Sequence, residues 1–109
     1  MSDIVTMRDF KRLEIRIGTV AEAERVPGSK NLYKLQVDMG DGMRQIVTGL
    51  VGYYTAEELR GKVIAVLMNL KPTRIFGQMS NGMLLAAESD DKLALLTIDR
   101  EIPNGARVT

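Results

Sequence analysis

The chain contains no cysteine, no histidine and no tryptophan. Without cysteine, neither a disulfide framework nor a thiolate metal site is available. Without histidine, the chain lacks the commonest general base and the commonest transition-metal ligand, which excludes Ser-His-Asp and Cys-His mechanisms. No spacing of its carboxylate, lysine or tyrosine residues supports another mechanism. We therefore expect a non-catalytic protein with no cofactor and no metal.

Long apolar runs are missing as well. None approaches the roughly 18 residues that a membrane-spanning helix needs, and the N-terminal residues lack the basic-then-apolar pattern of a secretory signal. The chain has 109 residues, of which 45% are hydrophobic and 27% are charged. These fractions are ordinary for a globular protein. We expect a single cytoplasmic domain over residues 1–109.

The net charge of +1 argues against a nucleic-acid ligand when it is taken as an average. The distribution of charge is uneven, however. Residues 59–87 hold four of the 15 Lys and Arg residues and none of the 14 Asp and Glu residues. A polyanion responds to this local field rather than to the average. The basic segment therefore keeps a nucleic-acid ligand open, although such a window also arises by chance.

Most of the chain has the patterns of short β-strands. Apolar residues alternate with polar ones over 13–17, 33–39 and 43–48, which is typical of half-buried strands. The apolar positions change parity after Gly18, which predicts a β-bulge there. Asp41-Gly42 predicts a tight hairpin turn. The more continuous runs at 63–68, 83–87 and 93–97 predict further strands, and 107–109 predicts a short final one.

Two helical segments are indicated by capping residues. Thr6 with Asp9 three residues later predicts a short helical turn over 6–12, and Thr55 with Glu58 predicts a helix of about two turns that ends at Gly61. One helix between the third and fourth strands is the order of an OB-fold, a five-stranded Greek-key β-barrel. We therefore predict an all-β protein of this class with C-terminal extension strands; an SH3-like barrel is the alternative.

The segment 69–83, between two apolar runs, carries most of the candidate binding groups. We expect it to be a loop on the barrel, where binding residues concentrate. Pro72 restrains the backbone between Lys71 and Arg74, which could form a phosphate clamp or a solvated pair. Phe76 is expected to cap a barrel end, with stacking on an unpaired base as the alternative. The stretch 80–82 is either a turn or a donor to phosphate or a 2′-hydroxyl, and exposed Met79 and Met83 would make adaptable contacts.

The order of residues through this segment resembles a known family signature. The matching pattern is Asn69-Leu-Lys71-Pro72-x-Arg74-x-x-Gly77-x-x-Ser80-x-Gly82-Met83-Leu84-Leu85-Ala86. It is similar to the tRNA-binding domain found at the C-terminus of many methionyl-tRNA synthetases, in the endothelial monocyte-activating polypeptide II group, and in free-standing structure-specific tRNA-binding proteins. Further matches at 10–18, 32–38, 44–50 and 54–62 extend the resemblance over nearly the whole chain.

The resemblance implies an OB-fold homodimer that binds tRNA by its shape and tolerates different sequences. It also implies a free-standing accessory, or beta subunit, of methionyl-tRNA synthetase. After Pro27 the family has Asn-Ala-Asp-Lys-Leu, whereas this chain has Gly28-Ser-Lys-Asn-Leu32, so its lysine is displaced by one position. The residues expected to contact tRNA are Asn69, Lys71, Arg74, Ser80, Met83, Lys30 and Arg16.

A sister branch, the CsaA-type export chaperones, gives the alternative function. Its members resemble this chain in size, fold and dimeric habit, and they bind unfolded preprotein peptides. They tend to lose the Ser-x-Gly-Met end of the loop, which this chain keeps at 80–83. The resemblance therefore favours tRNA over a peptide ligand.

Overall fold

A curled five-stranded antiparallel sheet organises the fold, as the computed structural model of residues 3–109 shows. Its strands run in the order β3-β2-β1-β4-β7, so the expected all-β class and OB-like five-stranded arrangement are confirmed. Two further two-stranded sheets, β5-β6 and β8-β9, lie outside it. The elements in chain order are α1 (Met7–Lys11), β1 (Ile15–Arg25), β2 (Tyr33–Asp38), β3 (Met43–Thr48), α2 (Ala56–Leu59), β4 (Val63–Leu67), β5 (Thr73–Ile75), β6 (Gln78–Ser80), β7 (Met83–Leu84), β8 (Ala86–Ser89) and β9 (Lys92–Leu95).

Two apolar clusters lie on opposite faces of the sheet. The larger one fills the curled interior, where β2 contributes Leu35 and Val37, both fully buried. The smaller one is built on Ile15, Ile17 and Ala65 and is covered by side chains from α1 and from the C-terminal residues. Strand β1 is therefore covered on both faces in its first half. Leu13 lies outside both clusters, is exposed and precedes β1, so the predicted start of this strand at residue 13 was two residues too early.

The apolar positions of β1 change parity at Gly18 because the strand is buried on both faces there, and not because it bulges at that residue. Strand β1 pairs regularly with β4 from Ile15 to Thr19. Before Gly18, Ile15 and Ile17 pack in the smaller cluster, and after it Val20 packs in the curled interior. The register shift of β1 against β2 occurs further along the strand, between Val20 and Glu22. The bulge exists, but the predicted position was wrong.

Both predicted capping boxes are present. The hydroxyl of Thr6 accepts from the amide of Asp9, and the hydroxyl of Thr55 accepts from the amide of Glu58; each carboxylate in turn accepts from the threonine amide. Helix α2 is one turn rather than two, and Gly61 follows it with a φ of 88°. Over residues 3–109, no helix is long and apolar enough to cross a membrane.

The C-terminal half departs most from the predicted strands. The run 83–87 is interrupted at Leu85, whose amide donates to Ala65 O (3.0 Å), so that β7 belongs to the main sheet and β8 to a separate hairpin with β9. The predicted strand 107–109 is reduced to one bridge between Arg16 and Arg107. The expected loop 69–83 contains the hairpin β5–β6.

Candidate nucleic-acid interface

The outer surface of β2 and β3 is flanked by two projecting segments. The register pairs Lys34 with Val47, Gln36 with Gln45 and Asp38 with Met43, on the side opposite the apolar interior. We call this surface the β2–β3 face. In OB-folds, the strand 2–3 surface and the loops after strands 1 and 4 hold oligonucleotides. The corresponding segments in this chain are the turn 27–31 and the hairpin β5–β6.

The hairpin β5–β6 is fastened to the free edge of β3 mainly by side chains. The Ser80 hydroxyl, on a residue only 6% exposed, accepts from Val47 N at 3.0 Å. The amide of Gln45 donates to Met79 O (2.9 Å) and accepts from Gln36 (2.9 Å). One main-chain bond, from Asn81 N to Gln45 O (2.8 Å), completes this junction. We call the junction the β3–β6 seam.

Ser80 is consequently a structural residue in this geometry. Besides accepting from Val47 N, its hydroxyl lies within donor distance of Gly82 O (3.4 Å) and Val47 O (3.5 Å). The hydroxyl therefore uses both its acceptor and its donor capacity within the protein. The predicted contact between this hydroxyl and RNA would require breaking the seam.

Two cations of the hairpin segment face solvent. Cross-strand pairing places Arg74 opposite Met79, and both are exposed. The Arg74 guanidinium donates to Gly77 O at 3.2 Å, which draws it toward the hairpin tip. Lys71 is exposed at the hairpin base, beside a groove shared with Met83. Within residues 3–109, neither cation has a carboxylate within salt-bridge distance, so their charge is directed outward.

The hairpin tip presents an aromatic ring. Phe76 and Gly77 have φ values of 52° and 80°, and Phe76 as a residue is 58% exposed. The expectation that Phe76 caps a barrel end was wrong. A Cβ added at Gly28 would lie 3.3 Å from the Phe76 ring, so the ring lies against the turn 27–31. Lys30 is exposed on that same turn.

Asn69 and Met83 are the first and last residues of the segment 69–83, away from the hairpin tip. Asn69 accepts from Glu14 N (2.9 Å) and donates to Arg12 O (2.7 Å), so that its amide ties the segment after β4 to the segment before β1. Met83 is 46% exposed on β7. Asn69 therefore fixes the chain where the segment 69–83 begins, whereas Met83 offers an exposed thioether.

Arg16 is not brought together with the other predicted residues. Its Nε donates to Glu14 at 2.8 Å and its Nη1 donates to Gly105 O at 2.8 Å. It lines a pocket with Met39 and Asn104, distinct from the groove beside Lys71. This hydrogen bond from Arg16 lowers the pKa of Glu14 below its ordinary value, and nearby arginines add to the effect.

Sequence reasoning did not identify Gln36, Gln45 or Arg44. Arg44 donates to Met68 O (3.0 Å) and to Asn81 O (3.3 Å), bridging β3 to both ends of the segment 69–83. The observed register pairs Asp38 with Met43, so the hairpin is centred between Gly40 and Asp41 and Gln36 lies opposite Gln45. Pairing extended from the predicted Asp41-Gly42 turn would instead have placed Val47 opposite Gln36, so no sequence signal pointed to this pair of amides.

Comparison with known families gives one match over most of the chain. Residues 15–107 match the family described as "Putative tRNA binding domain". The chain is 52% identical over 104 residues to a methionine–tRNA ligase of Archaeoglobus fulgidus, and 50% identical over 105 residues to that of Thermotoga maritima. These alignments cover 95% and 96% of the chain but only 16% and 17% of the two ligases. The chain thus spans about one sixth of these relatives.

Solved structures of two kinds share the fold. A MetRS related protein from Pyrococcus horikoshii superposes with a TM-score of 0.93 at 38% identity, covering 99% of this chain and 100% of that one. The chaperone CsaA from Bacillus anthracis str. Ames superposes with a TM-score of 0.89 at 31% identity, covering 98% and 100%. The same fold therefore occurs in a MetRS related protein and in a chaperone.

Proposed function

This chain belongs to the tRNA-binding domain family, and we propose that it binds tRNA by shape, with tolerance of sequence and without catalysis. The β2–β3 face with its two flanking segments receives the RNA in this proposal. The phosphates are held by Lys71 and Arg74 on one side and by Lys30 on the other. Phosphate contacts fix the position of a nucleic acid without reading its bases, and double-stranded RNA is recognised largely by shape.

The observation that carries this proposal is the difference between paired and unpaired cations. On the β2–β3 face itself, Lys34 is neutralised by Glu24, whose carboxylate lies 3.1 Å away. In the flanking segments, Lys71, Arg74 and Lys30 have no such partner among the described residues. These three uncompensated charges lie on the projecting segments, where a folded RNA would meet them first.

The remaining predicted residues receive different roles in this proposal. Met83 supplies an adaptable apolar contact beside Lys71. Ser80 and Asn69 hold the hairpin segment in position through bonds inside the protein. Arg16 supports the barrel end through Glu14 and Gly105 rather than contacting RNA.

We also propose that the chain acts in the cytoplasm as a homodimer and serves as an accessory or beta subunit of methionyl-tRNA synthetase. The sequence identity of about one half to two methionine–tRNA ligases supports the proposed link to the synthetase. The homodimer is supported by an apolar surface beside α1, where Ile4, Val5, Met7 and Leu13 are exposed. This surface borders a pocket lined by Phe10 and Val108. A second copy seated there would bury it.

A peptide-binding chaperone is the second candidate. It is favoured by the superposition on CsaA and by the exposed Met79, Met83 and Phe76 of the hairpin region. In that case the apolar side chains would supply the affinity and the cations would be bystanders. Binding would then depend little on salt and strongly on Met79 and Met83.

A binding titration at several salt concentrations tests the two candidates. Deacylated tRNA and an unfolded polypeptide that carries a signal peptide are titrated in parallel. Each phosphate contact contributes about 0.9 to the slope of log affinity against log salt for a duplex. Lys71→Ala and Arg74→Ala should each weaken binding to all tRNAs similarly and lower the slope by about one unit.

The matched control is Lys92→Ala, which removes an exposed cation from the separate β8–β9 hairpin and should leave the slope unchanged. Wild-type slopes in both hairpin variants would contradict the phosphate contacts. Peptide binding without tRNA binding would transfer the chain to the chaperone branch.

A further inference from the structure

The tip of the β5–β6 hairpin is built around an unfavourable residue. Its two-residue turn has positive φ at both positions, 52° at Phe76 and 80° at Gly77. Such turns strongly prefer Asn-Gly, Asp-Gly or Gly-Gly. A phenylalanine at positive φ is strained, and strain of this kind persists where the surrounding structure holds it and often marks a ligand contact. Hairpin stability therefore does not explain this residue.

Burial does not explain Phe76 either, because more than half of the residue is exposed. One part of the ring lies against the backbone of Gly28, where any Cβ would come within 3.3 Å of Cε2. A side chain at this position of the turn 27–31 would therefore require the ring to shift by a few tenths of an ångström. The ring is supported from behind and open to solvent in front.

Two cations lie close to Phe76 and Gly28 along the chain. The Arg74 guanidinium bonds to Gly77 O, one residue from the ring. Lys30 is exposed two residues from Gly28. An aromatic surface with cations at its border fits a nucleotide better than an apolar peptide, because the base can stack while the phosphate is paired.

We propose that Phe76 is a stacking platform for an unpaired nucleobase and that Arg74 contacts the phosphate of the same nucleotide. This inference rests on the proposed function and adds to it a preference for RNA with unpaired bases near the phosphate contacts. Stacking is compatible with sequence tolerance because every base has a π-face.

Phe76→Asn separates stacking from folding. It creates an Asn-Gly turn, the preferred dipeptide for this geometry, and removes the ring. The probes are deacylated tRNA, a single-stranded RNA oligonucleotide and a blunt duplex of the same length. Binding to tRNA and to the single strand should fall about 5- to 150-fold, in line with the usual value of one stacked base. Binding to the duplex and the salt slope should not change, and the thermal midpoint should be at least that of the wild type.

Phe76→Trp gives an independent reading, because the chain has no other tryptophan. This variant should retain affinity, and its emission should be quenched when single-stranded RNA saturates it. The stacking proposal is overturned if wild-type protein binds tRNA and Phe76→Asn binds tRNA and the single strand equally well. It is also overturned if the Phe76→Trp emission stays constant at saturation. If wild-type protein does not bind tRNA at all, the proposed function itself fails.

Discussion

Removing one buried hydroxyl should loosen the β3–β6 seam. In Ser80→Ala, the amide of Val47 loses the Ser80 oxygen that accepts its hydrogen bond at 3.0 Å. A buried donor left without its partner costs about 1–3 kcal/mol. For a domain near 100 residues, 1 kcal/mol lowers the thermal midpoint by about 4–8 °C. We therefore expect Ser80→Ala to unfold about 5–20 °C below the wild type.

The measurement combines thermal unfolding with amide hydrogen exchange. If the hydroxyl holds the seam, exchange should accelerate at Val47 and at Asn81, whose amide bonds to Gln45 in the same junction. Exchange at the core of β2 should be affected only through global unfolding. This pattern distinguishes a loosened seam from a uniformly weakened protein.

The matched control is Thr73→Ala. Thr73 is the cross-strand partner of Ser80 in the hairpin, but it is exposed and its hydroxyl lies 3.4 Å from Lys71 O. Exposed substitutions of this kind usually change stability by less than about 0.5 kcal/mol. If Ser80→Ala is also within that range, with unchanged exchange at Val47, the role assigned to the hydroxyl is refuted.

Two further predictions concern the barrel itself. Because the folded protein lowers the pKa of Glu14 through its bond to Arg16, this carboxylate stabilises the fold above the ordinary glutamate value of about 4.3, and the contribution is lost as the pH falls below it. Urea midpoints should therefore fall more steeply with acid in wild type than in Glu14→Gln, and parallel curves would contradict the assignment. Gly18→Ala should destabilise the protein by about 1–3 kcal/mol, since the new Cβ would lie 2.5 Å from the sulfur of buried Met39. In the control Gly49→Ala, whose Cβ would meet nothing closer than 3.6 Å, the urea midpoint should change little, and equal effects of the two substitutions would refute the steric reason.

Sequence reasoning succeeded where local chemistry decides the structure. The alternation from Tyr33 to Met39 predicts a strand because the burial of every second residue is enough to define its inner face. The Thr6 and Thr55 capping boxes are confirmed because each is formed by residues three apart. The resemblance was equally informative, since the family match covers residues 15–107.

Sequence reasoning failed where the surroundings of a residue come from distant parts of the chain. The parity change at Gly18 could not be interpreted without knowing that C-terminal residues cover the outer face of β1. Phe76 was expected in the core because its size suggests burial, and only the positions of Gly77 and the turn 27–31 place it at an exposed tip. The buried hydroxyl of Ser80 depends on the edge of β3, more than 30 residues away.

The construction of the β3–β6 seam has a consequence for how such a protein can diverge. Main-chain pairing tolerates most side chains, so the five-stranded sheet can absorb many substitutions and keep its shape. The seam depends instead on particular groups, the Ser80 hydroxyl and the Gln45 amide. A small number of replacements there could re-aim or exchange the hairpin without disturbing the sheet. A lineage built on this scaffold can thus acquire a new ligand while its architecture is inherited intact.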